Sequence, residues 1–504
     1  MHDLEEAITI GRAFVHLASA SDSGCGGAYP QSLRSYTLSR RTPGDRILPF
    51  DATVSKRTHP RLMRVLGLGF GLAVVFGSTV GVGILRLPGT VAVELASAWL
   101  ILTIWIAGGA CTLLGASSVA ELAAMLPEAG GFYVYAKRAF GRPVGFVVGW
   151  GDWLNNCTVL AYASYAAAEY FSSLLTKVAG HETAIALALL LLITVLQWIG
   201  LRLSSVVLQA MSSVTALTLI SLACACFLHC HGAGGSALLH PLPTVPSRPF
   251  SIVAALLVAL RAVVVTYDGW YEAIYFAEED TNPSRNLPRA MLGGVTVIVS
   301  IYLLINVAFL VVMPMEQLAP SRLPAADAAQ LVFASTRFAR LSGHFVTLLS
   351  LLTLISLINS VMLGAPRILF AVARDGLFTE KVSSVSSSGT PRPALLLSSL
   401  AAALMVASGS FENIVTVASF FVASNYCLNC VALFTLRRHE PQARRPYRAW
   451  WFPWSTGIVL TASFLFLIAV GHSDPSNALR FFLLLLLSIP VYLWLSKPTE
   501  PWPA

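Results

Sequence analysis

The sequence predicts an all-α polytopic membrane protein with twelve transmembrane helices, and three observations carry that prediction. Of its 504 residues, 56% are hydrophobic and only 12% charged, too few charges to cover a soluble protein of this length. Apolar runs of about 17 to 30 residues, long enough to cross a bilayer, recur along the chain. Two of them, the first and the sixth, are interrupted by glycine and polar residues.

In order, the runs fall near 65–92, 96–122, 143–174, 183–201, 204–229, 250–278, 291–313, 343–371, 394–409, 413–436, 454–471 and 480–496. The ninth is short. Residues 1–62 read as a polar N-terminal tail rich in Ser, Arg and Gly, expected to be disordered. They hold no apolar segment behind a basic start, so no cleavable signal peptide is expected. Residues 63–498 form the expected twelve-helix domain, and 499–504 a C-terminal tail. The net charge of +8 comes with an uneven spread of Lys and Arg, concentrated in the N-terminal tail and the even-numbered connections. That asymmetry puts both termini in the cytoplasm. It also explains the basic character without a nucleic-acid partner. The densest basic stretch, LRRHEPQARRPYRAW at 436–450, suits a cytoplasmic surface beside anionic membrane lipid.

Run 1 contains GSTVGVGILRLP, Gly77 to Pro88. Each glycine inside a helix costs about 1 kcal/mol relative to alanine. Two readings follow: the helix breaks between Gly77 and Gly83 to bare backbone groups at mid-membrane depth, or the small residues form a tight packing face. Run 2 ends at Pro127, followed by a turn at Gly130-Gly131 and by Tyr133 and Tyr135, expected at the membrane interface ahead of Lys137 and Arg138. In run 3, Asp152 lies about 13 Å along the helix. A carboxylate at that depth is a functional candidate, or else a hydrogen-bond partner for Asn155, Asn156 or nearby backbone. Run 5 carries hydroxyls that can bond back to their own helix, and no ionised residue.

Run 6 holds the second interruption, Thr266-Tyr267-Asp268-Gly269-Trp270. Asp268 either caps a fresh half-helix or meets a substrate ammonium or coupling proton. Arg261, about two turns before it, snorkels or faces a water-filled vestibule. The two interruptions stand about 190 residues apart, and each opens a block of five spans, an odd number that turns the second block upside down. The blocks are 63–230 and 250–437, with helices 11 and 12 in 454–496. This five-plus-five inverted repeat, with broken helices 1 and 6, is the arrangement of secondary transporters, whose substrate sits where the broken helices meet. Run 8 closes on Arg374-Asp375-Gly376, a charged helix end with a glycine stop.

The eight cysteines build no framework. Cys224, Cys226 and Cys230 with His229 and His231 have spacings that do not share a helix face, and Cys427 and Cys430 suit helix packing. No metal or cofactor is expected. The ten histidines all fall in tails, loops or span ends, which argues against an intramembrane enzyme. Asp152, Asp268 and Glu272 are candidate protonation sites for coupling. Exchange against a counter-substrate would need none, and nothing resembles a sodium cage.

These pieces together resemble the amino acid/polyamine/organocation superfamily over nearly all of residues 62–496: GSTVGVGI with Pro88, AELAAMLPEAGGFYVYAKRAFG, YDGW with AEEDTNPSRNLPRA, ARDGLF then TPRP, and LRRHEPQARRPYRAW. The resemblance implies the twelve-helix inverted-repeat fold and transport of amino acids or related amines by alternating access. It implies that backbone around Ser78, Thr79, Gly81, Val82 and Gly83 holds the substrate carboxylate. Carbonyls of Val265, Thr266 and Tyr267, beside Asp268 and Gly269, would meet the amino group. Three departures stand out. Many relatives have Gly-Ser-Gly where this chain has Gly81-Val82-Gly83, Ala216 occupies the place of a lysine that some members carry in span 5, and LLTKVAGHETA lacks the cysteine that joins animal relatives to a heavy subunit. No disulfide-linked heavy subunit is therefore expected. The expected function is secondary amino acid transport in a plasma membrane, the inner membrane if prokaryotic; the alternatives are a non-transporting amino acid sensor and a polyamine or amine exchanger.

Overall fold

A computed structural model describes residues 62, 64–229, 249–408 and 411–495. The expected N-terminal tail, apart from Leu62, the C-terminal tail and the Cys230-His231 pair lie outside the described residues. Among the described residues the chain is helical, with one isolated bridge between Leu66 and Asp280. The first apolar run is two helices, α1 (Leu68–Thr79) and α2 (Val82–Leu95). Then follow α3 (Ala98–Met125), α4 (Phe132–Phe140), α5 (Arg142–Leu174), α6 (Glu182–Ile199) and α7 (Leu201–His229). The second half holds α8 (Pro249–Tyr267), α9 (Pro283–Val312), α10 (Pro324–Val332), α11 (Ala339–Arg374), α12 (Arg392–Ala407) and α13 (Phe411–His439). The chain closes with α14 (Trp454–Ser473), α15 (Pro475–Leu486) and α16 (Ser488–Leu495).

Nine helices among the described residues are long and apolar enough to cross a membrane, with α15 and α16 counted as one, and the α1/α2 pair, bent by 40°, makes a tenth. α12, at 16 residues, is the short ninth run. α5 has 33 residues but buries Asp152, Asn155 and Asn156 in its interior. The protein is thus a multi-pass membrane protein.

Burial sorts centre from edge. In α11, 78% of the apolar window is buried inside the protein, against 11% for residues 475–495, so α11 is central and the last helices are peripheral. Large apolar side chains such as Leu191, Leu217 and Trp494 face outward, as lipid-facing surfaces require. α5 packs along α11, α3 along α9, and α2 along α8, which brings the two interrupted runs side by side. Buried ion pairs tie the helix ends: Arg367 on α11 grips both oxygens of Glu279 at 2.5 and 2.9 Å, and Glu121 on α3 pairs with Arg437 and Arg445.

The turn after α3 forms as expected, with positive φ at Gly130 and Gly131. Tyr133 and Tyr135, expected at the membrane interface, are both fully buried inside the protein. The Tyr133 hydroxyl and Lys137 both reach Asp375, so the glycine turn sets α4 against the end of α11.

Candidate functional site

α1 ends because Val80 and Gly81 turn extended, which frees the first N–H groups of α2 and the last carbonyls of α1 from intrahelical bonds. The break is narrower than the expected 77–83: Gly77 and Ser78 are still helical. Gly77 instead serves packing, since a methyl there would stand 2.9 Å from Leu208 and Ser212 of α7.

α8 ends at Tyr267, and the chain does not resume as an α-helix. Gly269, at φ 104°, reverses the backbone, and a 3₁₀ turn covers Glu272–Phe276. Its N-cap is Tyr271, with no side-chain cap, so Asp268 does not play the capping role. Its Oδ1 accepts the Tyr426 hydroxyl at 2.6 Å, and its Oδ2 accepts the Tyr271 hydroxyl at 3.3 Å.

The two breaks touch. The Ser78 hydroxyl donates to the carbonyl of Gly269 at 2.8 Å, and a side chain at Gly269 would run into the Ser78 carbonyl. A Cβ on Gly83 would lie 2.6 Å from the Cα of Thr266. Only glycine allows this approach of backbone to backbone. Around the contact, Ser78, Thr79, Thr266 and Tyr267 are all buried, Gly81 likewise, and Val265 is half-buried. Tyr302 donates to the Thr79 carbonyl at 3.0 Å and Tyr267 to the Trp105 carbonyl at 3.2 Å, while the Thr79 hydroxyl is buried with no partner. Of the ten residues expected at the paired breaks, the structure brings Ser78 against Gly269 and Gly83 against Thr266; Val82 opens α2 there.

The candidate acids gather on one side of the second break. Asp152 accepts the Tyr275 hydroxyl at 2.8 and 2.9 Å and Asn425 Nδ2 at 3.1 Å. Asn155 donates to Tyr271 instead, and Asn156 to the Asp152 backbone carbonyl. Glu272 is 2% exposed, with Oε2 unpartnered. Arg261 bonds Thr416 at 2.5 Å. No group of three His, Cys, Asp or Glu among the described residues could hold a metal ion.

Sequence reading missed Tyr302, Asn425 and Tyr426, which complete the locus from α9 and α13. An asparagine within an apolar span is the kind of costly polar residue that could have signalled α13.

The profile of the amino acid permease family matches residues 71–489. The chain is 27% identical over 446 residues to the serine/threonine exchanger SteT of Bacillus subtilis, covering 86% of this chain and 98% of that protein. It is 26% identical over 443 residues to the b(0,+)-type amino acid transporter 1 of Mus musculus, covering 86% and 88%. Among solved structures, MhsT in complex with L-phenylalanine shares the fold, with a TM-score of 0.57 at 16% identity over 85% of this chain and 99% of that one. With the two interrupted runs meeting in this way and a family profile spanning most of its length, this chain belongs to the amino acid permease family of the amino acid/polyamine/organocation superfamily.

Proposed function

We propose that the protein is a secondary active transporter that moves amino acids across the membrane by alternating access, with twelve spans in a five-plus-five inverted repeat and both termini cytoplasmic. The observation that carries the reading is the direct contact of two helix breaks, Ser78 to Gly269 and Gly83 to Thr266, in the midst of apolar helices. An anion suits the start of α2, where unpaired N–H groups of Val82 and Gly83 and the positive end of the helix dipole converge with Ser78, Thr79 and Gly81. An ammonium suits the end of α8, where the carbonyls of Val265, Thr266 and Tyr267 and the negative dipole end lie beside Asp268 and Gly269. A substrate carrying both charges on one carbon, an α-amino acid, answers both ends at once. The names of the relatives above support the same class of substrate and include an exchanger.

A thermal-shift screen of the purified protein against the twenty L-amino acids and putrescine tests the reading. Amino acids should raise the unfolding temperature, since a ligand at a hundred times its Kd stabilises by about 2.7 kcal/mol. A shift with putrescine alone would favour an amine exchanger. Shifts with amino acids but no flux in liposomes would favour a sensor.

A further inference from the structure

Three carboxylates lie around the second break, and the structure treats them differently. Asp268 and Asp152 each receive hydrogen bonds on their carboxylates, from Tyr426 and Tyr271 in one case and from Tyr275 and Asn425 in the other. Glu272 has no such support. Its Oε2 is buried and bare. In the 3₁₀ turn, residues three apart eclipse one another, so Glu272 shares its edge with Tyr275, the side chain that reaches Asp152.

Among the described residues, no cation bonds the carboxyl of Glu272 or Asp152. On the packed elements Lys137 goes to Asp375, Arg367 to Glu279, Arg374 to Glu278 and Arg437 to Glu121, while Arg285 and Arg289 of α9 are exposed. The titratable groups that face the acids among the described residues are Tyr271, Tyr275 and Tyr426, which donate to Asp268 or Asp152, and Tyr135 and Tyr162, together with Asp268; α1 brings none. Nor is there room for an organic ammonium at Glu272, because Oε2 lies against the bare backbone of Gly364 on α11, where even a methyl would overlap it. The charge that neutralises this buried acid has to be as small as a proton.

Resting on the transport reading above, we propose that Glu272 is the proton-carrying residue of the transport cycle, with the Asp152 carboxyl as its neighbour across Tyr275. One proton is taken up on Glu272 from one side and released to the other as the helix breaks rearrange, so proton movement accompanies substrate movement.

The test uses full-length protein in liposomes loaded with a pH-sensitive dye, with L-serine, L-threonine and a mixture of the twenty L-amino acids as probes. Adding amino acids outside should acidify the lumen, and an inside-alkaline gradient should speed initial uptake at least severalfold. Glu272→Gln should keep counterflow exchange within about twofold of wild type while losing acidification and gradient stimulation. Asp152→Asn should shift the midpoint of gradient-driven uptake to lower pH by removing the neighbouring carboxyl; it serves as the readout if Glu272→Gln is not recovered folded. Wild-type counterflow without acidification, acidification retained in Glu272→Gln, or an unmoved midpoint in Asp152→Asn overturns the proton proposal alone. Absence of wild-type counterflow for every amino acid overturns the transport reading beneath it.

Discussion

At the scale of single residues, Thr79 carries the most specific expectation. Its hydroxyl is buried without a partner beside the start of α2, so it has bonding capacity that a ligand can use. Thr79→Val keeps the shape and removes only the hydroxyl. If Thr79 contacts substrate, apparent affinity should fall about 2- to 12-fold, the worth of one neutral hydrogen bond, with no loss of thermal stability, since no bond in the empty protein is broken. Uptake with unchanged KM would remove Thr79 from the site. The residues at the breaks were legible in the sequence because glycine and hydroxyls are costly in a membrane helix and so stand out. Tyr302 and Tyr426 were not, because a tyrosine in an apolar run looks like packing until its hydroxyl is seen to donate to the Thr79 carbonyl or to Asp268.

At the scale of elements, composition foretold the interruption in run 6 but not its form. The expected fresh α-helix is a 3₁₀ turn, because positive φ at Gly269 starts a chain of three-residue bonds, Gly269 to Glu272 and Tyr271 to Ile274. The buried aromatic neighbours Trp270, Tyr271, Tyr275 and Phe276 then hold that tighter coil in place. A more local device operates between α14 and α15. Asp474 caps α15, accepting from the backbone N–H of Asn477 at 3.1 Å and from its side chain at 2.7 Å. These bonds hold the Asp474 carboxyl below its ordinary value. A lowered folded-state value means that the cap stabilises fully above pH ~4 and fades as pH falls through that value. Asp474→Ala should cost about 1 kcal/mol near neutrality, as lost caps typically do. The difference in unfolding temperature from wild type should shrink in acid; a difference independent of pH would mean that the carboxylate is not what caps the helix.

At the scale of the whole molecule, ten of the twelve apolar runs, the bent first pair counted as one, are helices long and apolar enough to cross a membrane among the described residues, since bilayer thickness fixes helix length whatever the fold. What hydropathy could not foresee was the set of ion pairs that close the helix ends, because these join residues far apart in sequence, such as Glu279 with Arg367 and Glu121 with Arg437. Glu279→Ala should destabilise the protein by about 3–5 kcal/mol, because it strands a buried guanidinium. The paired replacement Glu279→Leu with Arg367→Met should cost far less; equal losses in single and double variants would show that the charge pairing is not what matters there. The central claim is that the touching backbones of the two breaks form the site through which amino acids pass. Radiolabelled amino acid counterflow into proteoliposomes tests it most directly, comparing wild type with Gly83→Leu, whose side chain would be driven into Thr266. The account predicts counterflow in the wild type and none in the variant, although the variant is folded in the membrane; undiminished counterflow in folded Gly83→Leu would contradict it.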